Sequence, residues 1–435
     1  MLKAGFSRLD VTPPLKSYMS GYFFARYAEG IDDPIYLNAV AVGDGENTVV
    51  MIAADVLMIT KVYCDEIRKL ISEKTSIDKD NIMICCLHQH TSIAIRNIGD
   101  SASNEITRDR EYLDFLYRKF SDVAKMAIDD MKEANISVAI EETAEKISFI
   151  RRYIMKNGKI ETNPNDRYLE VERPYCEADN NVRIVKFERK EGNDIALINF
   201  STHADVIHTS RFSADWCGFA RKFVEKDLKD VSCILTVGVQ GDSNHADFTI
   251  PQYKDGYEHS KHMGRVIADA VVKVWDKTEP IKADKINCAI ETVYNRTRTD
   301  GEEKYEEALA ILEDEKKNPD TTGSRITELG NAARIVRLRN ASIYNKIPVT
   351  VINMGKIGFV GFGGEPFTQY ADGVRKNCPD RFIIASCCTN GGEGYLPTKK
   401  AFEEGGYESS SSQFSPDLEE SCVALAAKLL KALAE

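Results

Sequence analysis

Short apolar runs alternate with amphipathic stretches along the whole chain. The apolar runs are rich in Val and Ile and are bounded by polar residues, which predicts buried strands. They cover residues 49–58, 82–87, 138–142, 182–188, 195–201, 233–239, 286–294, 349–354, 358–362 and 382–388.

The stretches between these runs repeat apolar residues every three or four positions, which predicts helices. The clearest covers 108–133, where one stripe holds Leu113, Leu116, Phe120, Val123, Ala127 and Met131. The others cover 62–72, 216–228, 260–275, 304–316, 326–338 and 416–434. This alternation predicts an α/β fold in which helices flank a large mixed β-sheet core.

The segment from about 297 to 340 is rich in charged residues and ends in RIVRLRNA. Its helical periodicity indicates a helical insertion rather than a linker. No stretch rich in Pro, Ser or Gly is long enough to separate two independent cores. We therefore predict a single domain over residues 1–435.

Charge and composition narrow the class of partner. The formal net charge of −11 argues against nucleic acids and anionic membranes, because both attract clustered Lys and Arg. The N-terminal sequence MLKAGFSRLDVTPP does not have the pattern of a signal peptide, and no window holds the roughly 18 apolar residues of a membrane span. Several of the eleven cysteines lie in apolar runs, as buried reduced thiols do. We predict a cytoplasmic protein that acts on a small molecule and has no stable membrane anchor.

Five of the seven histidines follow predicted strands. They are His88 and His90 in LHQH, His203 and His208 in STHADVIH, and His245 in GDSNHA. A single histidine at a strand end more often makes a structural hydrogen bond than binds a ligand. In open α/β sheets, however, the loops after strands converge into ligand sites, so the grouping favours a shared site.

Glu365 is a further candidate ligand, because it follows a strand and two glycines in GFGGEPF. Glycines permit a close approach of the backbone that a simple helix-capping carboxylate does not require. Imidazoles and a carboxylate at one sheet edge favour a metal, and zinc suits mixed nitrogen and oxygen ligands. Alternation along an extended chain sends His88 and His90 to the same side, so that both face the ion or one contacts the substrate.

The chain resembles the neutral (alkaline, non-lysosomal) ceramidases, which are zinc amidases. The resemblance rests on AGFSRLDVTPP, MSGY, GIDDPIYLNAVAV, AADVLMI, LHQHTS, NFSTHADVI, FSADWCGFA, GVQGDSNHA, GFGGEPF and TNGGEGYLPT followed by GGYE, in that order along nearly the whole chain. It implies the N-terminal catalytic domain of that superfamily, without the β-sandwich appended to the full-length enzymes.

The resemblance also implies a set of site residues. Zinc would be held by His88, His203, Glu365 and Tyr395, with Tyr407 as the nearby alternative to the tyrosine. The catalytic residues would be His90, Arg151 and Tyr395. Arg152 is the adjacent alternative to Arg151, and either Asp242 or Asp205 could orient a ligand imidazole.

The implied reaction is hydrolysis of an N-acyl amine by zinc-bound water. Zinc, His90 and Arg151 would stabilise the oxyanion, and His90 or Tyr395 would carry a proton to the leaving group. Asn244 stands where the family has a serine discussed as a nucleophile, which favours direct attack by water. The natural acylated substrate is expected to differ from ceramide. The alternatives are an esterase or a sugar-derivative hydrolase at the same site, and a non-catalytic, metal-dependent binding homologue.

Overall fold

The computed structural model of the chain describes residues 1–96, 110–319 and 324–434. Its largest element is a nine-stranded sheet. Along the sheet the strands lie in the order Val231–Val237, Asp194–Phe200, Asn181–Arg189, Lys132–Glu142, Lys3–Asp10, Tyr36–Gly43, Thr48–Ala54 and Ile82–Cys86, and Glu279–Pro280 also pairs with Lys132–Glu142. The outermost pair at each end is parallel and the pairs between are antiparallel. The predicted α/β fold with a large mixed sheet is therefore confirmed.

A second sheet has four strands, which lie in the order Ile286–Arg296, Tyr344–Met354, Ile357–Phe362 and Phe382–Ser386. Its last two strands are parallel. The α-helices are Lys61–Thr75, Arg110–Asp129, Asp215–Asp227, Gly256–Val274, Tyr305–Lys317, Ser324–Leu338, Thr368–Asn377, Lys399–Glu404, Tyr407–Ser411 and Leu418–Ala432.

The two sheets share one apolar core, and the four-stranded sheet buries a second core on its other face. Helices Lys61–Thr75 and Arg110–Asp129 pack on each other, and the second packs on Lys3–Asp10 and Tyr36–Gly43. Helix Leu418–Ala432 packs on the four-stranded sheet. Helices therefore cover both sheets, because each sheet has an apolar face that must be buried.

The segment 387–389 connects the two end strands of the large sheet. Cys86 N donates to Cys388 O at 3.1 Å, and Cys387 N donates to Val237 O at 3.2 Å. Thr389 also forms an isolated antiparallel bridge with Cys85. The end strands therefore lie near each other, and the residues that follow them can meet.

The predicted helix 108–133 is too long at its end. The helix stops at Asp129, and Lys132 already begins an eleven-residue strand. Met131 lies in the turn between the helix and the strand and packs against the same core as the helix. The apolar periodicity therefore extended beyond the end of the helix. Residues 108 and 109 lie outside the described residues.

Two helices, Tyr305–Lys317 and Ser324–Leu338, lie in the segment predicted as a helical insertion. The single-domain organisation stays a prediction. All eleven cysteines belong to the described part of the chain, and each is a free thiol. No helix within that part combines the length and the apolar character that crossing a bilayer requires.

Candidate metal centre

Three imidazoles meet where two strands of the nine-stranded sheet stop, one at the end of the sheet and the other second from its opposite end. His88 and His90 follow strand Ile82–Cys86, and His203 follows strand Asp194–Phe200. One ligand atom from each histidine lies within 4.8 Å of the other two. Nitrogen atoms at this spacing can share one metal ion.

Glu365 reaches the same point from the four-stranded sheet. Its Oε2 lies 3.2 Å from His88 Nε2 and 3.3 Å from His203 Nε2. Glu365 Oε2 and His203 Nε2 are buried, and neither has a hydrogen-bond partner within the described residues. Buried polar atoms without partners are rare in proteins, and this donor set fits a bound zinc ion.

Backbone carbonyls orient the two ligand imidazoles. His88 Nδ1 lies 2.9 Å from Leu57 O, and His203 Nδ1 lies 2.9 Å from Gln240 O. An Nδ1–H that donates to a carbonyl leaves Nε2 free to bind an ion. Neither Asp242 nor Asp205 has the predicted orienting role at these atoms: Asp242 Oδ1 accepts from Thr368 N and Oγ1 instead.

The backbone at His88 has a φ of 62°, in the left-handed region. A non-glycine residue in this region is strained by roughly 1 to 3 kcal/mol, and such residues cluster at functional sites. His88 is held in this conformation because its N–H donates to Val56 O at 3.0 Å while its ring bonds to Leu57 O.

The electrostatics of the centre favour the metal-binding protonation states of Glu365, His203 and His90, whereas His88 is the exception. Burial raises the pKa of the Glu365 carboxyl, but His88 and His203 outweigh burial and hold that pKa well below its ordinary value. Burial lowers the pKa of His203, and it lowers the pKa of His90 to about 3. Burial also lowers the pKa of His88, but Glu365 outweighs it and raises that pKa. An ionised carboxylate and neutral imidazoles are the forms that bind metals.

The two adjacent arginines point to different surroundings. Arg151 lines the cavity beside the centre, and its guanidinium carbon lies 5.0 Å from the Tyr395 ring centroid. Its Nη2 donates to Gly241 O at 2.8 Å, and its Nε lies 2.8 Å from Glu408 Oε1. Arg152 instead donates to Gly405 O at 2.8 Å and does not line this cavity.

Tyr395 stands in a two-residue strand that pairs with Glu365–Pro366, directly opposite Glu365. Its ring centroid lies 6.4 Å from that of His203 and 5.4 Å from that of Tyr407. Burial raises the pKa of Tyr395 well above its ordinary value, although Arg151 acts against it. Both tyrosines line the cavity, and the choice of fourth ligand stays a prediction.

The cavity beside the centre has a volume of about 1130 Å³. His90, His203, Arg151, Tyr395 and Tyr407 are on its wall.

Sequence reasoning missed two contributors to the site. Tyr22 donates to Asp205 Oδ1 at 2.6 Å, and Arg26 donates to the His90 carbonyl oxygen. Tyr22 and Arg26 lie in GYFFARY, an aromatic segment without strand or helix periodicity. This composition was the sequence signal that could have pointed to them.

Glu408 is a third missed residue. It is fully buried and faces both arginines, with Oε2 lying 3.4 Å from Arg152 Nη1. No local pattern marked it, because its partners are distant in sequence.

Comparison with known proteins shows similarity in structure. Neither a scan against protein-family models nor a search of curated proteins gives a match. The neutral ceramidase from Pseudomonas aeruginosa superposes with a TM-score of 0.74 at 14% sequence identity, covering 100% of this chain and 74% of that one. A ceramidase complexed with C2 superposes with a TM-score of 0.75 at 13% identity, covering 99% of this chain and 75% of that one. The chain therefore has the fold of the neutral ceramidases.

Proposed function

We propose that the protein is a zinc-dependent hydrolase of carboxylic amides, with a natural substrate other than ceramide. One observation carries the proposal: His88 Nε2, His203 Nε2 and Glu365 Oε2 meet at one buried point next to a large cavity. The likeness to ceramidase structures supports the class of bond, since those proteins share this fold.

His88, His203 and Glu365 would hold the ion, with Tyr395 as the fourth ligand. A bound zinc ion would supply a Lewis acid and would lower the pKa of a water molecule towards roughly 7. The ligand side chains are held before any ion binds, because each imidazole already bonds to a backbone carbonyl. Such preorganisation reduces the rearrangement that binding requires.

His90, Arg151 and Tyr395 would act on the substrate. Both ring nitrogens of His90 are buried without a hydrogen-bond partner among the described residues, so they are available to the carbonyl oxygen or the leaving amine of the substrate. Arg151 brings a positive charge to the same wall, where Glu408 fixes its orientation. Removing one such contact to the developing oxyanion costs on the order of 3 kcal/mol of barrier.

A serine nucleophile is not part of the proposal. Asn244 donates from Nδ2 to Asn163 Oδ1 at 3.1 Å and accepts from Ala246 N at 3.0 Å, so these bonds fix an amide, which is not a nucleophile, in the place of the serine. Ser243 is buried, is not on the cavity wall, and its carbonyl oxygen lies 3.0 Å from His203 Nδ1. Direct attack by water agrees with this arrangement.

Metal analysis combined with a substrate panel tests the function. We expect about one zinc per chain in the purified protein and hydrolysis of N-acyl amines that stops with a chelator and returns with zinc. His203→Ala should lose the zinc, and full zinc content in this variant would show that the ligand is misassigned. Failure of every amide and ester to turn over faster with zinc would remove the enzyme proposal.

The same panel separates the alternatives. Faster turnover of esters than of matched amides would identify an esterase at the same site. Zinc binding without any turnover would identify a metal-dependent binding homologue. The free thiols support the proposed cytoplasmic location, because reduced cysteines are typical of that compartment.

A further inference from the structure

The wall of the cavity beside the metal centre is aromatic and polar rather than aliphatic. Among its described lining residues, Leu15 and Ile326 are the large aliphatic ones. A hydrocarbon chain gains from burial in proportion to the apolar area removed from water and makes no use of polar groups on the wall. Here aromatic rings stand among amides, imidazoles and charged groups, so the wall offers hydrogen bonds at several points.

Among these polar groups, His245 gives the clearest indication of a ligand. It is only 5% exposed, yet it lines the cavity, and neither of its ring nitrogens has a hydrogen-bond partner in residues 1–96, 110–319 and 324–434. The nearest rings, those of His208, Tyr253 and His259, lie 5.9 to 6.3 Å away between centroids. Leaving a buried polar group unsatisfied is unfavourable, so a ligand that pairs with it gains affinity.

Two asparagine amides stand on the same wall. Asn163 and Asn244 are joined by a hydrogen bond of 3.1 Å, and both line the cavity. Asn163 has a φ of 49°, a strained conformation that persists where the surrounding structure requires it. Like a neutral imidazole, a primary amide carries both donors and an acceptor, which is the pattern that hydroxyl groups match.

An aromatic surface lies next to His245. The Phe248 and Tyr253 ring centroids lie 4.8 Å apart, and Tyr253 is 6.2 Å from His245. Both aromatic residues line the cavity. An apolar ring face beside polar donors and acceptors suits an amphipathic ring that bears hydroxyl groups.

We propose that Asn163, Asn244 and His245 form a subsite for a hydroxylated part of the substrate, which makes the substrate an N-acyl derivative of an amino sugar or a similar polyhydroxylated amide. The inference rests on the proposed amidase function for turnover, whereas binding at the subsite does not depend on turnover. Burial lowers the pKa of His245 to about 3, so its ring is neutral and can both donate to and accept from a hydroxyl group.

Matched substrates test the subsite with the zinc-loaded full chain. N-acetylglucosamine and N-acetylcyclohexylamine have six-membered rings with and without hydroxyls. N-ethylgluconamide and N-ethylhexanamide place the same difference on the acyl side. A site that hydrogen-bonds a substrate hydroxyl rejects the analogue that lacks it by as much as about 10⁴-fold. We expect kcat/KM at least about 100-fold higher for the hydroxylated member of one pair, and the pair that responds identifies the side of the amide.

His245→Ala is the test variant, and His262→Ala is its control. His262 is 43% exposed, pairs with Glu145 on the surface and is not on the cavity wall. We expect His245→Ala to lower kcat/KM for the hydroxylated substrate about tenfold or more and to leave the cyclohexyl substrate unchanged. The control should change neither.

Calorimetric binding of glucosamine and cyclohexylamine to the same variants separates the subsite from the enzyme function. Tighter glucosamine binding that His245→Ala weakens would support the subsite even if no amide is hydrolysed. Amide hydrolysis with equal rates within each pair, or faster hydrolysis of an N-lauroyl amine, would overturn the subsite and leave the amidase function standing. Equal binding of glucosamine and cyclohexylamine, together with equal binding of gluconate and hexanoate, without any hydrolysis would overturn both.

Discussion

At the scale of single residues, Gly21 sets the position of His90. Its φ is 115°, and a Cβ added there would lie 2.6 Å from His90 Nδ1. Any side chain at position 21 would therefore collide with the His90 imidazole. His90 Nδ1 also lies 3.6 Å from Asp205 Oδ1, so the ring has little room to move away.

Gly21→Ala should reduce turnover without removing the metal. The methyl group would displace the His90 ring, and a displacement of about 1 Å near the reacting atoms costs on the order of 100-fold in rate. The measurement is kcat together with zinc content.

Gly45→Ala is the matched control. It also has a positive φ, 105°, but its added Cβ meets nothing within 4 Å. Both variants carry the backbone strain, so an equal loss of activity in the control would attribute the effect to stability rather than to His90.

A buried ion pair holds the loop that carries His88 and His90. Asp55 is fully buried and accepts from Arg221 Nη1 at 2.8 Å and from Nη2 at 2.6 Å. Gln89 Nε2 also donates to Asp55 Oδ1 at 3.2 Å. The pair therefore connects the histidine loop to helix Asp215–Asp227, which follows the His203 loop.

Asp55→Ala should destabilise the protein strongly. Removing one partner leaves the Arg221 charge buried and unpaired, which costs about 3 to 5 kcal/mol of the free energy of unfolding. Denaturant unfolding measures this loss. The comparison is Glu73→Ala, which removes a surface pair with Lys69 at 3.8 Å and should cost less than about 0.5 kcal/mol. Similar losses in the two variants would contradict the role assigned to Asp55.

At the scale of elements, helix Ser324–Leu338 supports one wall of the site. It packs against helix Tyr407–Ser411, where Arg334 Nε donates to Ser410 O at 3.0 Å. Gly330 allows this approach, because a Cβ there would lie 2.8 Å from the Tyr407 ring. Tyr407 in turn contacts Tyr395 and lies over Arg151.

Gly330→Ala should therefore lower activity by moving Tyr407, even though Gly330 does not line the cavity. Alanine favours a helix by about 1 kcal/mol over glycine, so any loss of activity would not come from a weaker helix. The measurement is kcat/KM together with zinc content. The zinc content should not change if Tyr395 rather than Tyr407 is the fourth ligand. Glu328→Ala, on an exposed part of the same helix, is the control. Unchanged activity in Gly330→Ala would contradict a support role for this helix.

The strands that carry the site were predictable from local pattern, while others were not. Continuous apolar runs such as ICCL and IALINF marked the strands before His88 and His203. Strands Lys3–Asp10 and Tyr36–Gly43 were missed, although they pair with each other along eight positions at the centre of the sheet. The first mixes polar with apolar residues and begins near the chain terminus, so its strand conformation depends on pairing with distant partners.

At the scale of the whole molecule, the convergence of distant segments was only partly accessible from the sequence. Strand ends indicated which residues lie at loops, and His88, His203 and Glu365 do lie together. The rings of His88 and His90 lie on the same side, as predicted from the alternation of side chains along an extended chain. The backbone at His88 is left-handed rather than extended, so that physical reason was wrong. The role of segment 387–389 between the two end strands could not be inferred, because it depends on tertiary hydrogen bonds.

The centre joins both sheets, so an ion bound there should stabilise the molecule as a whole. His88 and His203 belong to loops of the nine-stranded sheet, while Glu365 follows a strand of the four-stranded sheet. A ligand that binds only the native state stabilises it by about 4 kcal/mol at a free concentration ~1,000 times its Kd. Removing zinc with a chelator should therefore lower Tm by roughly 4 to 5 °C, and adding zinc back should restore it.

The variant Glu365→Ala separates this effect from general effects of the chelator. Glu365→Ala should have a lower Tm than the zinc-loaded protein, because it lacks one of the groups that connect the two sheets through the ion. Neither chelator nor zinc should change the Tm of this variant further. Calorimetric scans of both proteins with and without chelator provide the measurement. If the chelator lowers the Tm of Glu365→Ala by the same amount, the stabilising ion binds elsewhere. If the chelator does not lower the Tm of the unaltered protein, the two sheets are held together by their apolar contacts alone.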